Sequence, residues 1–201
     1  QLLLFAEDVL KKNPGASIIF DVKSTRHLFS WIEDRGGIPI MWKTGHSLIK
    51  AKMKESKAIL AGEMSGHIFF NDRWYGFDDG IYAGARLIEI LSRFENPSEI
   101  LESLPKGVST PELNIKLHEG EQHEIIKKLQ NTAKFENANE IVKIDGLRVE
   151  YEHGFGLMRG SNTTPVIVLR FEANSLKNLK LIQNEFKLAL KGFVPDGKIP
   201  F

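Results

Sequence analysis

At 201 residues, 42% hydrophobic and 26% charged, the chain has the composition of a globular protein with room for one large or two small domains. A formal charge of +1 supplies no global field for nucleic acid or an anionic membrane, and no apolar run reaches the length of a membrane span. The absence of cysteine excludes disulfides and thiolate metal sites, which fits the cytoplasm.

The chain opens on Gln1, without methionine, inside a pattern that is already helical (Leu3, Leu4, Ala6, Val9, Leu10), so a longer parent chain is expected. Residues 17–22, SIIFDV, are short, apolar and β-branched, as a buried strand is. Ser24 or Thr25 can cap the next helix, whose Leu28, Trp31, Ile32 and Arg35 keep helical spacing before Gly36 and Gly37 end it. A strand over 38–42, a helix over 47–56 and a strand over 58–61 follow, with Lys50, Lys52, Lys54 and Lys57 on the wet face of that helix. A short strand covers 68–70. A longer helix starts near Asp78, and its Ile81, Ala85, Ile88 and Leu91 are expected to face the core.

Residues 105–111, PKGVSTP, are rich in turn formers, and the pattern changes beyond them. A strand over 112–118 and a helix over 121–134 lead into strands over 140–144 and 147–151, joined at Asp145-Gly146 as a two-residue hairpin. Alternation of Leu147, Val149 and Tyr151 with Arg148 and Glu150 predicts one buried and one wet face. Strands over 155–158 and 166–171 and a helix capped by Ser175 complete the chain. The fold class is therefore α/β: a three-layer α/β domain over 1–104, a linker over 105–111, and a smaller α+β domain over 112–201 with an antiparallel sheet and helices.

Three places carry candidate chemistry. Arg159-Gly160-Ser161-Asn162-Thr163-Thr164-Pro165 lies between two strands. Arg159 offers a planar fork for phosphate oxygens, Ser161, Thr163 and Thr164 offer hydroxyl donors, and Asn162 tolerates the left-handed backbone of an anion nest. An ordinary polar turn has the same composition, and the lysine of a Walker loop is absent. Gly62-Glu63-Met64-Ser65-Gly66-His67 follows a strand, where ligands sit in open α/β sheets. Glu63 and Ser65 form an acceptor–donor set suited to vicinal sugar hydroxyls; a charged β-turn and, through Glu63 and His67, a metal site are the alternatives. Lys23 and His46 follow strand ends on the same edge, where Lys23 either serves a phosphate or pairs with Asp21.

Together FDVKSTRHL, MWKTGHSLIKAKMKE, LAGEMSGHIFF, RWYGFDDGIYAGARLIEIL, STPELNI and RGSNTTPVIVLRFEA resemble the α-D-phosphohexomutases, nearest to the bacterial bifunctional phosphomannomutase/phosphoglucomutases, along the whole chain. The resemblance implies the third and fourth of four domains. It implies sugar contacts for Glu63 and Ser65, a phosphate grip by Arg159, Ser161, Asn162 and Thr163, and catalytic positions for Lys23, His46 and His67. The implied partners are mannose and glucose 1- and 6-phosphates and the missing N-terminal domains. The family's phosphoserine and DGDGDR-type magnesium loop have no counterpart in these residues, so Mg2+ is implied only for the complete enzyme. The implied activity is interconversion of hexose 1- and 6-phosphates through a bisphosphorylated sugar. A non-catalytic sugar-phosphate-binding or regulatory module of the same fold is the alternative, and an aminosugar-phosphate enzyme would carry a different sugar loop.

Overall fold

The run SIIFD is central because both of its faces are covered: Ile18, Ile19, Phe20 and Asp21 are wholly buried. A computed structural model describes all 201 residues, which divide into two units, Gln1–Pro105 and Lys106–Phe201. In the first unit the elements run α1 (Leu2–Lys12), β1 (Ser17–Asp21), α2 (His27–Glu33), β2 (Ile38–Trp42), α3 (His46–Ser56), β3 (Leu60–Gly62), β4 (Ile68–Phe70), α4 (Gly80–Leu91) and α5 (Pro97–Glu102). The sheet order is β2-β1-β3-β4, with β1 parallel to β2 and β3, and β4 antiparallel to β3. Phe20, Leu60, Phe70 and Ile18 pack under α1, α2 and α4, while Ile19, Ala61 and Phe69 pack under α3. Each fully buried residue of that size contributes about 1.5–3 kcal/mol of hydrophobic stabilisation.

Because β1 leads through α2 to one neighbour and β2 returns through α3 to the other, the order reverses beside β1. The carboxyl ends of β1 and β3 flank that switch point, the place where ligands sit in open α/β sheets. The sheet thus sets the ends of β1, β2 and β3 side by side.

Helix α4 corrects one expectation. Ile81 and Ile88 are 90% and 69% exposed and Ala85 is exposed, whereas Ala83, Arg86 and Ile90 are buried. The helix is apolar on opposite sides, so periodicity cannot choose between them. Tertiary contacts do: Arg86 reaches Asp8 on α1 (3.1 Å) and Asp72 (2.8 Å), with its guanidinium 4.3 Å from the centre of the Phe70 ring. A charged residue takes the inner face because its partners are there. At α2 the helix begins after Arg26; Thr25 Oγ1 accepts from His27 N–H, but Ser24 turns back to Asp21.

The second unit runs β5 (Val108–Ser109), β6 (Leu113–Lys116), α6 (Glu121–Thr132), β7 (Glu140–Val142), β8 (Leu147–Tyr151), β9 (Gly154–Gly160), β10 (Val166–Ala173) and α7 (Leu176–Leu190). All its pairings are antiparallel, in the order β5-β10-β9-β8-β7, with β6 also on β10. Leu147, Met158, Leu169 and Phe171 pack with Leu129 of α6 and Phe186 of α7. Three details differ from expectation. Val108 and Ser109, inside the turn-rich 105–111 stretch, join the sheet beside Ala173 and Glu172. Strand β7 ends at Val142 and β8 starts at Leu147, leaving residues 143–146 in the hairpin loop, four rather than two. Arg148, placed on a wet face by alternation, is wholly buried, because its guanidinium lies 3.7 Å from the Phe155 ring centre and pairs with Glu150 at 2.7 Å.

Candidate functional site

In the first unit three loops converge on one buried carboxylate. Asp21, the last residue of β1, accepts Ser24 Oγ–H (2.6 Å) and Met64 N–H (3.0 Å) on one oxygen and Thr44 Oγ–H (3.1 Å) on the other. The donors come from the ends of β1, β2 and β3, so a single acceptor ties the three loops together. Asp21 is thus the hub of the three loops.

Residues 63–67 form a five-residue hairpin loop, with Gly62 paired to Ile68. Glu63 N–H donates to His67 O and Gly66 N–H to Glu63 O; the turn needs Gly66 at φ +97°, where a side chain is strained. Glu63 is buried, and its carboxylate accepts Gly45 N–H at the start of α3. Ser65 and His67 are exposed, as is His46, while Lys23 is 6% exposed just beyond β1.

The His46 and His67 rings are 6.0 Å apart. His67 Nδ1 lies 2.7 Å from Asp78 Oδ2. An ionised carboxylate only accepts, so Nδ1 carries the proton and a neutral ring keeps its lone pair on Nε2. That nitrogen can take or return a proton. No three His, Asp or Glu side chains gather as a metal site requires, so the residues present do not fit a bound metal.

In the second unit residues 161–165 form the loop between β9 and β10. Arg159 stands at its root, 4% exposed, with Nε 2.9 Å from Asp145 Oδ2. Asp145 is at the tip of the β7–β8 loop, and Gly146, at φ +82°, lies so close that a Cβ would run into Met158 O and Arg159. The hairpin tip therefore holds the guanidinium from one side.

The loop's hydroxyls also bond within the loop. Ser161 is 7% exposed, and its Oγ accepts from Thr163 N–H (3.3 Å), Thr164 N–H (3.3 Å) and Thr164 Oγ–H (3.0 Å), so Ser161 shapes the loop from within. Asn162 and Thr163 are exposed, and Asn162 is not left-handed: Lys57 is the one non-glycine residue with positive φ. Gly160 makes room for α6, since a Cβ there would stand 2.9 Å from His123 Nδ1.

Residues 1–108 match the family model for phosphoglucomutase/phosphomannomutase alpha/beta/alpha domain III, and residues 112–189 match that of the family's C-terminal domain. The chain belongs to the phosphoglucomutase/phosphomannomutase family. It is 62% identical over 192 residues to a phosphoglucomutase of Neisseria gonorrhoeae, covering 95% of this chain and 42% of that protein. It is 54% identical over 201 residues to a phosphomannomutase/phosphoglucomutase of Pseudomonas aeruginosa, covering all of this chain and 43% of the relative. A crystal structure of a family protein from Burkholderia thailandensis superposes with a TM-score of 0.93 at 60% identity, covering 100% of this chain and 42% of that one. The chain thus spans less than half the length of these phosphoglucomutase and phosphomannomutase relatives.

The sequence reading missed Asp78 and Asp145. Asp78 was read with Asp79 as a helix start, yet Asp79 alone caps α4, accepting Tyr82 N–H at 2.9 Å. The doubled aspartate carried a signal, since one cap needs one carboxylate.

Proposed function

We propose that this chain is the sugar-phosphate-binding half of a phosphomannomutase/phosphoglucomutase that interconverts hexose 1- and 6-phosphates through a bisphosphorylated sugar. Family membership supports the reaction class. The observation that carries the binding reading is Arg159, a buried cation braced by Asp145 at the root of an exposed loop. A planar guanidinium carries five donors, so it satisfies Asp145 and still has donors for phosphate oxygens. Asn162 and Thr163 add polar groups at the rim, and Ser161 holds the loop's shape.

In the other unit, Glu63 and Ser65 take the sugar hydroxyls, and Gly45 N–H holds the Glu63 carboxylate in place. Lys23 steadies phosphate or sugar oxygen. His67, oriented by Asp78, and His46 hold or move the hydroxyl proton on phosphoryl transfer. Transfer of this kind depends on positioning and electrostatics more than on covalent chemistry by the protein. The phosphate donor and the magnesium ligands belong to the complete enzyme, so this chain by itself binds substrate without turnover.

Calorimetric titration tests the reading. Glucose 1-phosphate and mannose 1-phosphate are expected to bind with similar affinity, and glucose without phosphate at least tenfold more weakly. Equal affinity for glucose and its phosphate would refute it.

A further inference from the structure

Helix α4 has two apolar faces, and this chain fills one of them. Ala83, Leu87 and Ile90 pack on the core. Half a turn away, Ile81 and Ile88 are 90% and 69% exposed, with Gly84 and Ala85 exposed between them. Of the twelve residues only Arg86 and Glu89 are charged, and a helix apolar all round is a helix buried all round.

Gly84 is an independent sign of a neighbour. A glycine inside a helix costs about 0.5–1 kcal/mol relative to alanine. A Cβ at Gly84 would meet nothing within 4 Å, so no contact in this chain accounts for it. Close approach of another element to the helix backbone does.

The length comparison points to the occupant. The chain spans 42–43% of its relatives, and the models it matches are domain III and the C-terminal domain. Lower-numbered domains belong to the length it does not span. We propose that the outer face of α4 is the docking surface for those preceding domains, with Ile81 and Ile88 inserting on either side of the groove at Gly84 and Ala85. This rests on family membership and not on the assignment of sugar and phosphate contacts.

The test uses a chimera in which this chain replaces the matching 192 residues of the Neisseria gonorrhoeae phosphoglucomutase. Ile81→Lys and Ile88→Lys are made in the 201-residue chain and in the chimera. In the chain alone the thermal midpoint should stay within about 1 °C, as for a surface substitution. In the chimera it should fall by about 4 °C or more, and by about half as much for the uncharged Ile88→Ala. Amide exchange across 80–91 should be at least about tenfold slower in the chimera than in the chain alone. Unchanged midpoints in the chimera, with equal exchange in both proteins, would overturn the proposal. So would a 201-residue chain that sediments as a dimer and becomes a monomer with Ile88→Lys, since a second copy would then own the face. No arm reads catalysis, so failure of the proposed function leaves this result standing.

Discussion

The two candidate loops have the same length and opposite support. Between strand ends, residues 63–67 join β3 to β4 and residues 161–165 join β9 to β10, five residues in each. The first is held from far along the chain: Asp21 lies 43 residues before Met64, and Gly45 lies 18 before Glu63. The second is held largely by its own Ser161, with Asp145, 14 residues away, supporting Arg159. A loop at the end of parallel strands has neighbours from distant crossovers. The first hairpin has them because β3 also runs parallel to β1, whereas the second lies in an antiparallel sheet and carries its own acceptor. The first kind couples site geometry to fold stability, and the second separates them.

Breaking the hub should therefore give the largest effect. Asp21→Ala leaves Ser24, Thr44 and Met64 donors without their acceptor and should cost about 3 kcal/mol of stability, read by urea unfolding. A loss below about 1 kcal/mol would show that the three loops hold without it. Arg159→Ala removes a charge-assisted contact and should weaken glucose 1-phosphate binding by about 2 kcal/mol, some 30-fold, in calorimetry. Unchanged affinity would remove Arg159 from the site. Ser161→Ala should weaken the same binding by about 1 kcal/mol while unfolding stability moves by less than about 0.5 kcal/mol. Equal losses in both measurements would erase the contrast between the loops.

The smallest expected effect concerns pH, away from both loops. Burial alone would raise the Asp8 carboxyl, but hydrogen bonds from Arg93 and Arg86 hold it below the ordinary value. A depressed folded pKa contributes stability that is present above the unfolded carboxylate value, about 4, and is lost as pH falls through the folded one. Asp8→Asn should therefore flatten the acid limb of the stability curve below about pH 4. An unchanged limb would mean that Asp8 is not held low.

Much of the fold was legible because local pattern and tertiary outcome agree. SIIFD is β-branched and buried, and Ser175 caps α7 by accepting Asn178 N–H. What escaped depends on distant partners. The inner face of α4 is chosen by Arg86 meeting Asp8, 78 residues away. The burial of Arg148 needs Phe155 on the next strand. Helix α5, starting at Pro97 with Asn96 accepting Ser98 N–H, carried a cap-and-proline signal that the reading passed over. In the candidate site the residue types were legible. Their roles were less so, because whether Ser161 donates to a ligand or accepts from its own loop depends on backbone geometry.

The most direct test is a backbone amide map of this chain by NMR during titration with glucose 1-phosphate. Shifts confined to the amides of residues 44–46, 62–67 and 159–164 are what these assignments require. Saturating binding that moves neither the 62–67 amides nor the 159–164 amides would contradict them.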